Sequence, residues 1–68
     1  MAVTETYTVT GMTCGHCEEA VRQELLRLPG VRDVKVDLNS GAVAVESDGM
    51  VPLDEVRAAV DEAGYALA

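Results

Sequence analysis

The sequence predicts an α+β fold in the order β-α-β-β-α-β, a four-stranded antiparallel sheet with two helices on one face. Three observations carry this prediction. Apolar residues alternate with polar ones at a period of two around Tyr7 and Val9, Val34 and Val36, and Val43 and Val45. Between these stretches they recur at helical spacing, first through Ala20, Val21, Leu25 and Leu28, then through Leu53, Val56, Val60 and Ala63. Glycine, proline and short polar clusters separate every segment from the next.

Residues 4–10 form the first predicted strand. Thr4, Thr6, Thr8 and Thr10 fall on one face, and Tyr7 and Val9 on the other. Gly11 ends it, and residues 12–16 are expected as a loop. A helix follows from Cys17, with Glu18 and Glu19 in its first turn and Arg27 closing it, in the sense that complements the helix dipole. Pro29-Gly30 stops this helix. Residues 31–38 alternate again, with Val34, Val36 and Leu38 facing one way, and Asn39-Ser40-Gly41 turns the chain into a strand over residues 42–47. Pro52 suits the first turn of the second helix, Asp54 and Glu55 place acid there, and Gly64 is positioned to end it. Residues 65–68 leave room for a short last strand. A helix-free outer face on the first strand fits its run of threonines, which makes the architecture an open-faced sandwich of the ferredoxin-like type.

Length and composition narrow the function. The 68 residues fit a single domain over 1–68, with a core of Val, Leu and Ala, since the chain has no Trp and no Phe. So small a core leaves little room for an enclosed substrate pocket of roughly 300 Å³ or more, which weighs against an enzyme. The 12 acidic and 5 basic residues give a net charge of −7, which argues against nucleic acid and against anionic membrane surfaces. The surplus acid suits solubility or a partner with a positive patch, and solvation of the two helices is the plainer account. No apolar run approaches the ~20 residues of a spanning helix, and the first residues carry no basic, apolar leader pattern. The expectation is a cytosolic protein without direct membrane insertion.

Gly11-Met12-Thr13-Cys14-Gly15-His16-Cys17 carries the chemistry. In a reducing compartment, two cysteines at this spacing point to metal or redox chemistry rather than a structural staple. Cys17 is expected at or just before a helix N-terminus, where exposed backbone N–H groups favour the thiolate. Paired thiolates are soft donors that prefer Cu(I) to hard cations. An ion held by only two protein sulfurs keeps open positions at which a partner thiol can attack, so this arrangement suits carrying.

The string Gly-Met-Thr-Cys-x-x-Cys after a first strand, with Ala20-Val21 in the helix and Gly64-Tyr65 before the last strand, resembles the heavy-metal-associated domain family over nearly the whole chain. Among stand-alone members it looks most like bacterial copper chaperones. The resemblance implies the same β-α-β-β-α-β fold, Cu(I) bound by Cys14 and Cys17, and delivery to the metal-binding domain of a copper-transporting P-type ATPase. It implies Met12 as a buried plug for the loop and an aromatic residue, Tyr65, near it. His16 is expected to point toward solvent as a group beside the sulfurs, the other reading being a ligand across a dimer. The metal-free protein is expected as a monomer, with a metal-bridged dimer open on loading.

Three alternatives stand beside this reading. The chain is also what an excised N-terminal domain of such an ATPase would look like. Zinc, cadmium and mercury members share the cysteine pair, although a closed zinc site needs four ligands and Thr13 stands where zinc-transport members tend to add a carboxylate. Finally, Cys-Gly-His-Cys is the active-site string of protein disulfide isomerases. Those thioredoxin-like domains carry a Trp before the first cysteine, where this sequence has Thr13.

Overall fold

The computed structural model describes residues 2–13 and 15–68. Six elements follow in the order β1 (Val3–Thr10), α1 (Gly15–Leu26), β2 (Val31–Asp37), β3 (Ala42–Ser47), α2 (Leu53–Glu62) and β4 (Ala66–Leu67). The sheet order is β2-β3-β1-β4 and every pairing is antiparallel. Each helix therefore connects strands that are not neighbours: α1 crosses over β3, and α2 crosses over β1. This is the α+β, ferredoxin-like architecture expected from the sequence.

The two faces of β1 differ as their side chains require. Thr4, Thr6, Thr8 and Thr10 are exposed, whereas Val9 is buried and Tyr7 half-buried. Burial lifts the Tyr7 phenol above its ordinary pKa, with the Glu5 carboxylate adding to the effect. Val9, Val34, Val43 and Val45 from the sheet meet Val21 and Leu25 of α1 and Val56, Ala59 and Val60 of α2 in one core. Eight buried valines, Val51 among them, dominate the core of the described residues, and the stiff β-branched side chains suit a pleated surface.

Several elements depart from the sequence-based expectation, each for a local reason. Helix α1 starts at Gly15, so Gly15 and His16 are helical rather than loop, and Cys17 is its third residue. It ends at Leu26, leaving Arg27 and Leu28 in the turn that follows; Arg27 reaches back to Glu24 at 3.5 Å. Pro52 is the N-cap of α2 rather than its first helical residue. Its ψ of 138° is extended, and its carbonyl accepts from the N–H groups of Glu55 and Val56 at 3.0 and 3.2 Å. Leu53 then begins the helix 49% exposed, outside the apolar stripe to which its spacing assigned it. Val51 and Ala59 are buried instead. Strand β2 stops at Asp37, and Leu38 belongs to the turn.

An irregularity in β2 re-phases its alternation. The register shifts between Val31 and Asp33 against β3, so one extra residue is absorbed there as a bulge. Val31 and Val34, three positions apart, thereby both pack against the core. Opposite Val31, Ser47 is 2% exposed and donates its hydroxyl to the Gly49 carbonyl. That bond satisfies the one buried polar side chain among the described residues.

The turn from β2 to β3 is fastened to the end of β1 that leads to the cysteines. Val9 N–H donates to Gly41 O at 2.9 Å, and Gly41 N–H to Asp37 O at 2.8 Å. Gly41 has φ 76°, and a Cβ there would lie 2.7 Å from Val9 O, a backbone atom with little freedom to move. Gly41→Ala is therefore expected to lower stability by about 1–3 kcal/mol from backbone strain alone, with the clash adding to it. Urea denaturation followed by circular dichroism measures the change, and a loss within the ~0.5 kcal/mol typical of surface substitutions would contradict the close approach.

Candidate metal centre

Gly11 turns the chain out of β1 with φ 93°, a conformation that costs a side-chain-bearing residue dearly. Met12 then drops back against the core, half-buried, while Thr13 is exposed. This is where the resemblance expects a hydrophobic plug.

Of the two sequence-predicted ligands, Cys14 lies outside the described residues. Cys17 is half-buried in the first turn of α1. The N–H groups of a helix N-terminus favour negative charge, and Cys17 stands within the helix rather than before it. Thr13 Oγ1 and Cys17 Sγ are 3.8 Å apart in hydrogen-bonding geometry. A hydroxyl donor beside a sulfur stabilises its anionic form. His16, the second helical residue, is exposed to solvent, as is Gly15. Glu18 shares the first turn with Cys17.

Among the described residues no three His, Cys, Asp or Glu side chains are grouped to hold a metal ion. Two surface depressions are lined by other described residues. One of about 100 Å³ sits over Ala44 on the outer sheet face, and one of about 350 Å³ lies between Leu53, Arg57 and Leu67.

Tyr65 adds a residue that sequence spacing alone did not place. It follows Gly64, the left-handed residue after α2, with φ 94°. Its ring lies against Gly11, where a Cβ would meet Tyr65 Cδ1 at 3.3 Å. Tyr65 packs against the core and also lies beside the bend that leads to the cysteines, where the resemblance expects an aromatic residue.

Known proteins share this fold. Residues 6–66 match the heavy-metal-associated domain. The chain is 37% identical over 62 residues to the copper chaperone CopZ of Staphylococcus aureus, covering 90% of this chain and 91% of that protein. Among solved structures it is similar to a CopZ metallochaperone, with a TM-score of 0.90 at 34% identity over 97% of this chain and all of the other. It is also similar to a copper binding domain from HMA7, a P-type ATPase, with a TM-score of 0.87 at 28% identity over 100% and 92% of the two chains. The match runs from within the first strand through the cysteine loop and both helices to the start of the last strand, and on it the chain belongs to the heavy-metal-associated domain family.

Proposed function

We propose that this protein is a cytosolic carrier of Cu(I), which it holds on the thiolates of Cys14 and Cys17 and hands to the metal-binding domain of a copper-transporting P-type ATPase. The observation that carries the reading is a cysteine pair three apart at a strand-to-helix loop. Its described member, Cys17, stands in the first helical turn beside the Thr13 hydroxyl. The similarity to copper chaperones and to an ATPase copper domain supports both ends of the transfer. The family is one of metal-binding domains, so no catalytic group is assigned.

Transfer by ligand exchange follows from the donor set. A partner thiol loses its proton to solvent, and its sulfur forms a bond to copper while one bond from Cys14 or Cys17 breaks. The displaced thiolate takes up a proton. A second such exchange completes the transfer, and copper remains Cu(I) throughout. An exposed loop allows this approach, whereas a site closed by four protein ligands would resist it. The same domain serving as part of a transport ATPase would use the same chemistry, a reading favoured by the likeness to the HMA7 domain.

Anaerobic titration with Cu(I) and separately with Zn(II) tests the assignment. Thiolate-to-metal absorbance is expected to saturate at one Cu(I) per chain, and Zn(II) is expected to be displaced by Cu(I). Native mass spectrometry in the same experiment reads whether the loaded form is a monomer or a metal-bridged dimer. Zn(II) retention against stoichiometric Cu(I) would overturn the copper assignment.

A further inference from the structure

Successive residues of a strand turn their main-chain groups to opposite sides. In β1 the Val9 N–H donates to Gly41 on the β3 side, whereas the Thr8 carbonyl accepts from the Ala68 N–H, 2.8 Å away, on the β4 side. The same alternation turns the N–H and C=O of Thr6 and Thr4 toward the β4 side. Among the described residues β4 pairs with Val9 and Thr10, so the outward groups of Thr6 and Thr4 lie beyond the end of that ladder. A row of such groups is a template for a further strand.

Side chains along this edge define what the further strand would carry. Tyr7, Leu53, Arg57 and Leu67 border the depression of about 350 Å³ beside it. Among the described residues Arg22, Arg27 and Arg32 each stand within ion-pair distance of a carboxylate, and the exposed Arg57 does not. Glu5 is half-buried on the same face of β1 as Tyr7 and Val9. Continued past Thr8 and Ala68, the antiparallel register sets one added residue opposite Tyr7, beside Arg57, and another two positions later opposite Glu5. Opposite charges facing across a strand pair stabilise it, and like charges destabilise it. A second copy suits the edge poorly. With Thr4 of one copy opposite Thr6 of the other, Glu5 would face its own counterpart, and each chain carries a net charge of −7.

We propose that the Thr4–Thr6 edge of β1 docks an extended peptide of a partner protein, which adds an antiparallel strand and carries an acidic residue beside Arg57 and, two residues later, a basic residue opposite Glu5. Main-chain bonds to Thr6 and Thr4 supply the attachment, and the two charges select the sequence and its direction. The cysteine loop follows the opposite end of β1, so a strand seated here leaves it uncovered. Docking at this edge requires no metal and holds whichever ion the cysteines carry.

The test adds the probe acetyl-Glu-Thr-Lys-Thr-Val-amide to metal-free, ¹⁵N-labelled protein and follows amide shifts by NMR. Saturable shifts at millimolar probe are expected at the Thr4 and Thr6 amides, which gain acceptors. The swapped probe acetyl-Lys-Thr-Glu-Thr-Val-amide has the same composition and net charge, so the overall field of the protein acts on both alike. It is expected to bind roughly fivefold more weakly, because two favourable cross-strand charge contacts become two unfavourable ones. The double variant Glu5→Lys, Arg57→Glu keeps the net charge of the protein and is expected to reverse the preference, with circular dichroism confirming its fold. Arg57→Glu alone, on an exposed helical position, is expected to remove most of the preference. No saturable shift at Thr4 and Thr6, equal binding of the two probes, or an unchanged preference in both variants would overturn the proposal. Shifts of the same amides with protein concentration alone would overturn it in favour of a second copy.

Discussion

Replacing either Cys14 or Cys17 with serine is expected to abolish tight Cu(I) binding and leave the fold standing. A serine hydroxyl is a hard donor that stays protonated at neutral pH, so it offers a soft d¹⁰ ion almost nothing. The loss should exceed the roughly 100-fold that removal of a mere supporting partner costs a metal site, because half of the proposed donor set is gone. Stability should change little at Cys17. That side chain is only half-buried, and the core consists of residues on other turns and strands. Competition with a Cu(I) chelator measures affinity, and far-ultraviolet circular dichroism checks the fold. Near wild-type affinity in either single variant would refute the two-sulfur site.

Leu25→Ala is expected to have the largest effect on stability. Leu25 is fully buried and is the largest such side chain among the described residues. Truncating a buried leucine costs about 2–5 kcal/mol, and the cost rises when the surroundings cannot collapse into the cavity. Here the neighbours are stiff valines on a hydrogen-bonded sheet, including Val34, Val43 and Val45, so relaxation should be small. At roughly 0.05–0.15 kcal/mol per residue, a chain of 68 residues has total stability of about 3–10 kcal/mol. The variant should therefore unfold at markedly lower urea concentration and be substantially unfolded at 37 °C. Denaturation by urea, followed by circular dichroism, gives the difference directly. A loss under about 1 kcal/mol would mean the core repacks more freely than its valine-rich lining implies.

Much of this architecture was legible in the sequence because its causes are local. Threonines alternate with Tyr7 and Val9 because one face of β1 meets water and the other meets the helices. Gly64 ends α2 because only a residue without a Cβ takes φ 94° cheaply, and its position after an apolar stripe marks it in advance. The cysteine pair was legible for the same reason. Residue type and spacing point to soft-metal chemistry, and Cys17 stands in the first turn of α1 rather than in the loop before it.

What the sequence could not decide was everything that depends on which surfaces meet. Leu53 has the spacing of a core residue, yet the helix begins there and leaves it 49% exposed. Ser47 looks like the polar end of a strand but is buried, because a bulge in β2 and the Gly49 carbonyl give its hydroxyl a partner. The helix reaches back to Gly15 because tertiary packing of Val21 and Leu25 fixes its axis, which draws Cys17 into the first turn rather than before it. Gly11 and Tyr65 stand 54 positions apart in the chain, and no local pattern joins them. The short pairing of β4 with β1 brings them together. Residue chemistry by itself points to a soft ion, whereas the meeting of distant strands decided which side chain lies against the bend that leads to the cysteines.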